Sequence, residues 1–268
     1  MSAASFLPRS LQAVLMVIIA GAILLPWQKE LQSTATKSGF HSVPLGIDLR
    51  EQIGQSGFLA ALSGFRSPVA ALLWIEAHAA WEKTEWGRMA SLFNTVTTLQ
   101  PHSLLYWDIA AWHMAWNASI AALQDKRQPS EVLRERARRQ YIQLGRDFLE
   151  RGIRNNPDSY LLQERLGILL RDKAEDHAGA STAFAKAASL PGAPAYVARF
   201  AAYEAAKVPG MEREAYERLR TLYDQGEKMR LPSLVTELRR LEEKLGIPAD
   251  QRIPYPTASP STLPKPSP

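Results

Sequence analysis

The chain has no cysteine among its 268 residues. That excludes a disulfide framework, a thiolate nucleophile and a Cys-ligated zinc site. Histidine is scarce too: the five are His41, His78, His102, His113 and His177, and no two stand at an HExxH or other compact ligand spacing. A metal site would have to be assembled from distant parts of the chain. Also missing are a glycine-rich phosphate loop, a nucleophile elbow and a Ser/His/Asp arrangement. Asp172, Glu175, Asp176 and His177 hold the ingredients of acid-base chemistry, but they read first as a charged turn between helices. Asn117-Ala118-Ser119 matches a glycosylation triplet, yet it falls inside a helical pattern, and the match reads as coincidence. No cofactor and no metal is implied, and the expectation is a binding protein, not an enzyme.

Long hydrophobic runs are rare, with one exception. Ser10 to Gln28 is 19 residues without a charge, which as a helix reaches about 28 Å against a bilayer core of about 30 Å. It reads as a membrane anchor with Trp27 at the interface. The alternative is a cleaved signal peptide, with Arg9 as its basic start. Small residues at a cleavage spacing come only at Ser33-Thr34-Ala35, well past the apolar run, so the uncleaved anchor is preferred. A short tail with Arg9 just before the span favours a signal anchor that exports residues 29–268. Residues 1–28 are therefore read as tail and anchor, and 29–66 as juxtamembrane spacer and capping segment. Residues 67–246 form a helical domain, and 247–268, with seven Pro in the last 21 residues, a disordered tail.

The helical domain is rich in aromatics at its start, where six of the seven Trp and three of the five His fall between Ser67 and Ser119. Val69, Leu72, Leu73 and Ile75 recur at helical offsets, with Trp74, His78 and Trp81 on an adjoining stripe. Pro68 suits a first helical turn. The polar stretch 83–87, closing on Gly87, reads as a turn, and Met89, Leu92, Phe93, Val96 and Leu99 as a second helix stopped by Pro101. A third amphipathic run follows over 104–122. Pro101 and Pro157 are 56 residues apart, which predicts that a helix beginning near Pro129-Ser130-Glu131 is lengthened at its start. Further hairpins are expected over 159–190 and 196–223. A last helix over 232–245 carries Leu234, Leu238, Leu241 and Leu245 on one stripe.

This order of helix, short turn, and helix closed by Pro resembles the tetratricopeptide (TPR) plan, whose repeat is about 34 residues. Phe93 and Ala77 fall on its aromatic and small positions, as do Trp107 and Ala111 in the next unit. Leu166-Gly167 stands as its Leu-Gly pair, and Ala180, Phe184 and Ala187 keep its Ala, aromatic, Ala spacing, displaced by one residue. Pro157 and Pro191 are 34 residues apart. The strings over 62–78, 99–119 and 151–173 also resemble a group of uncharacterised bacterial membrane-anchored TPR-like proteins, over roughly residues 60 to 190. The likeness implies an all-α fold, an N-terminal transmembrane helix followed by an α-solenoid of TPR-like hairpins, and it carries no activity.

In TPR hairpins the first helices line a groove. Carried over, that places Trp74, His78, Trp81, Asp108, Trp112, Glu164 and Arg171 on a partner-binding face, with Trp107 in the core. The competing reading has the tryptophans fill gaps between helices. Arg134, Arg138, Arg139 and Arg146 share one face of the long helix, either solvated or a basic patch for anionic lipid or an acidic partner. Net charge is +5 with a pI near 9.4, but no nucleic-acid recognition motif accompanies it. Two functions remain open: a membrane-anchored scaffold for protein partners, and a glycan- or lipid-binding accessory subunit of an envelope enzyme or transporter.

Overall fold

Residues 64–254 are described by the structure, a computed structural model. The expected anchor, the spacer with most of its capping segment, and residues 255–268 lie outside the described residues. Among the described residues all regular structure is helical and there is no strand. No helix among them is long and apolar enough to cross a membrane.

The helices are α1 (Arg66–Glu82), α2 (Trp86–Leu99), α3, α4 (Glu131–Asn155), α5 (Tyr160–Asp172), α6 (His177–Ala188), α7 (Ala195–Ala205), α8 (Glu212–Asp224) and α9 (Pro232–Lys244). Helix α3 is composite: Leu104–Trp112 is α-helical, His113–Ala118 is a π-helical segment, and Ser119–Gln124 returns to α. Each helix packs on the next in chain order, so the hairpins stack in sequence.

Local chemistry sets the boundaries. The turn after α1 is made by Thr84 at φ 56°, with Glu85 N–H donating to Ala80 O at 2.8 Å and Thr84 N–H to Trp81 O at 2.9 Å. These are the two bonds of a Schellman cap. Gly87, expected to close the turn, lies one residue inside α2. Asp176 caps α6 by accepting from Gly179 N–H at 2.8 Å. Arg171 pairs with Asp172 at 2.6 Å, and His177 reaches the buried Glu204 of α7 at 2.7 Å. The surplus between Pro101 and Pro157 is shared: α4 does start at Glu131, but α3 also runs on to Gln124.

The core is built where small residues let helices meet. A Cβ on Gly145 of α4 would stand 2.7 Å from Ala115 Cβ, and one on Gly152 2.7 Å from Trp107 Cγ. Trp107 is buried as expected, and its Nε1–H donates to Pro101 O at 2.8 Å. In the next hairpin Gly167 faces the ring of Phe184, whose Cδ1 would lie 2.7 Å from a Cβ there. Ala77, Phe93, Ala111, Ala180, Phe184 and Ala187 are all buried. At the far end Leu234, Leu238 and Leu241 are fully buried against α7 and α8 residues such as Ala205 and Leu219.

Packed structure continues beyond the Gly246 boundary read from the sequence. Ile247 and Ile253 are buried, and Ile253 N–H donates to the buried Glu242 carboxylate at 2.8 Å. Arg239 Nη2 reaches Pro254 O at 3.0 Å. Between the two buried isoleucines lies one short 3-10 turn, Ala249–Gln251, whose residues are exposed.

Candidate binding face

The first helices of successive hairpins meet through their side chains. Trp74 and Tyr106 join α1 to α3 with ring centroids 4.9 Å apart, and Asp108 and Arg165 join α3 to α5 at 3.2 Å. Tyr196 O–H donates to Glu164 at 2.8 Å between α5 and α7. Tyr203 and Ser233, 3.1 Å apart, join α7 to α9. These contacts put the residues expected on a groove along a common face, but they assign them different work.

Trp74 is half-buried, with His78, Phe93 and Tyr106 around it at 5.1, 5.3 and 4.9 Å between centroids. Its indole is occupied by packing. His78 is half-buried, with Nδ1 3.2 Å from Trp74 O. Glu164 is buried and committed to Tyr196, whose phenol that bond holds above its usual range. Arg171 binds Asp172 and lies over the rings of Phe200 and Phe184 at 5.4 and 5.8 Å. Neither Glu164 nor Arg171 is left free for a partner. Trp81 and Trp112 are different: they remain 40% and 44% exposed.

His113 is the hub between them. It is buried at the start of the π-helical segment, with Trp112 at 4.9 Å, Trp81 at 5.5 Å, Phe93 at 5.7 Å and His78 at 6.2 Å between centroids. Burial, and then the neighbouring His78, lower its pKa to about 4. The neutral ring accepts from the amide Nδ2 of Asn117 at 3.0 Å. A π-helical turn inside an α-helix is a costly irregularity often found at functional sites. Here it follows Trp112 directly and contains Trp116.

Beside it, α3, α4 and α5 enclose a cleft of about 460 Å³. Ile109, Leu149 and Ile168 give it apolar lining, Trp112 and Trp116 aromatic walls, and Asp108, Arg165 and Asp172 charge. Burial pushes the Asp108 carboxyl above its usual range, against the opposing pull of Arg165. Lys173 Nζ stands 5.2 Å over the Trp116 ring. Of the residues expected from sequence, Asp108 and Trp112 line this cleft. Trp116, Arg165 and Ile168 were not expected at a site, and Asp172 was read only as part of a charged turn. The four-residue spacing of Trp112 and Trp116 was a usable signal for the first of these, whereas the α5 residues needed the fold.

A larger hollow of about 660 Å³ between α7 and α9 carries Lys207, Glu237, Arg240 and Lys244. Its charges are already paired: Lys207 with Glu204, Arg240 with Glu237, and Lys244 with Glu212. The expected basic patch is only partly neutralised. Arg138 and Arg139 share Glu135, Arg146 binds Glu150 at 2.7 Å, and Arg134 donates to Gln128 O at 2.7 Å. No group of three His, Asp or Glu among the described residues is placed to hold a metal.

No protein-family model matches the sequence, and no curated protein matches it. Function is therefore read from geometry.

Proposed function

We propose that the protein is a membrane-anchored, TPR-like scaffold that recruits a protein partner through the α3–α5 cleft. The observation that carries this reading is the cleft itself, where an exposed Trp112 and a half-buried Trp116 stand beside apolar side chains and an Asp108–Arg165 ion pair. Aromatic anchors in an apolar hollow with charged groups at its edge are the usual energetic centre of a protein interface. Stacked hairpins, buried small and aromatic residues at the TPR positions, and Gly167 against Phe184 support the repeat reading. The 19-residue uncharged run at Ser10–Gln28 supports the anchor.

The second reading, a glycan-binding accessory subunit, is favoured by the exposed indole of Trp112, whose flat face suits a sugar ring. One comparison separates the two. Full-length protein solubilised from its native membranes is used for affinity capture beside a Trp112→Ala/Trp116→Ala variant of unchanged circular dichroism. Loss of one specific co-purifying protein from the variant is expected. Unchanged protein capture, together with Trp-dependent retention on an envelope glycan, would replace the scaffold by the accessory subunit.

A further inference from the structure

The longest hairpin ends in an apolar tip. Ile120 and Leu123 at the end of α3, and Val132 and Leu133 at the start of α4, are 44, 40, 77 and 46% exposed. Their exposure follows from length. Helix α4 has 25 residues, whereas α2 and α5, on either side of this hairpin, have 14 and 13. At 1.5 Å per residue α4 is longer than α5 by roughly 18 Å. The neighbours stop short, and no other described helix covers the tip.

The same tip is basic. Residues 120–139 hold six Lys or Arg against three Asp or Glu, a surplus of three in a chain whose whole net charge is +5. Asp125 neutralises Arg127, and the single carboxylate of Glu135 serves both Arg138 and Arg139. Arg134 turns back onto the carbonyls of Gln128 and Pro129, which carry no compensating charge. Lys126 and Arg136 are exposed. Large apolar side chains ringed by surplus cations match the boundary between acyl chains and anionic headgroups.

The geometry points to a second membrane contact: the α3–α4 tip, through Ile120, Leu123, Val132 and Leu133, inserts into the interface of an anionic bilayer. This rests on the reading of residues 10–28 as an anchor, which brings the domain to a lipid surface.

Absence of cysteine makes the test direct. Single-cysteine variants of the full chain, Val132→Cys at the tip and Thr182→Cys on the exposed side of α6, are labelled with an environment-sensitive fluorophore. They are reconstituted into phosphatidylcholine vesicles with or without phosphatidylglycerol, and flotation reports anchoring separately. The Val132 probe is expected to shift to the blue and brighten several-fold on phosphatidylglycerol vesicles, to be quenched by brominated lipid, and to lose the effect in Lys126→Glu/Arg136→Glu. The Thr182 probe stays unchanged. Equal emission from both probes while the protein floats would overturn the tip contact and leave the anchor intact. A shift at Val132 that needs no lipid and grows with protein concentration would overturn it in favour of self-association. If the protein floats only on phosphatidylglycerol vesicles, and Ile120→Ser/Val132→Ser abolishes this, the tip contact stands and the anchor reading fails.

Discussion

Gly152 sets how closely α4 approaches α3, since an added Cβ would come within 2.7 Å of Trp107 Cγ and 2.9 Å of its Cβ. Trp107 is held by its bond to Pro101 O and has no room to retreat. Gly152→Ala is expected to lower stability by about 1–3 kcal/mol, overpacking outweighing the gain in helix propensity. Gly87→Ala, where nothing lies within 4 Å, should instead stabilise by up to about 1 kcal/mol. Urea midpoints of the two variants decide it, and a shift in the same direction for both would contradict the packing account. His113 makes a prediction in pH. Its folded pKa of about 4 lies below the ordinary value of 6.5, so the unfolded chain takes up a proton that the folded chain refuses. The related stability is fully present above about pH 6.5 and is lost as pH falls toward 4, by roughly 3 kcal/mol at most. His113→Gln should flatten that part of the stability profile; an unchanged slope would remove His113 as its cause.

Helix ends carry unequal loads. Thr84 holds φ 56°, a left-handed conformation that a β-branched residue adopts only under strain. Thr84→Gly is expected to stabilise by up to about 1 kcal/mol, read as a raised thermal midpoint. At Asp176 the cap bond is 2.8 Å, and at Ser130 the bond from Leu133 N–H is 3.4 Å. Asp176→Ala should therefore cost about 1 kcal/mol and Ser130→Ala clearly less; comparable losses would show that bond length is a poor guide here. Most helix positions were legible, because prolines and the 3.6-residue period act locally. The reversal at Thr84 was not, since residue preference pointed to Gly87. The π-helical segment was not legible either: its residues have no distinct pattern, and it coincides with the packing of His113 among rings from α1 and α2.

At the largest scale, the stacked hairpins of the described residues make each helix depend on its neighbours. Helix α9 buries Leu234, Leu238 and Leu241 and turns its charged side outward. The chain then folds back, with Ile253 buried and Arg220 Nη1 reaching Gln251 O at 3.1 Å. Ile253→Ala is expected to cost about 2 kcal/mol, the low end for a buried isoleucine. An unchanged denaturation midpoint would mean that the segment after Gly246 adds nothing to the stack.

The order of helices, the buried Trp107, the leucine stripe of α9 and the excess length between Pro101 and Pro157 follow from the sequence itself, because each rests on spacing along one stretch of chain. Which groove residues remain free was decided only by tertiary structure. Glu164 meets Tyr196 across 32 residues, and Asp108 meets Arg165 across 57. No local pattern announces such partners. Trp74 and Trp112 are both tryptophans on first helices, yet rings from α1, α2 and α3 enclose one, while the other stands at an open cleft between α3 and α5. Burial is a property of what packs alongside a residue, and only the folded chain supplies those neighbours.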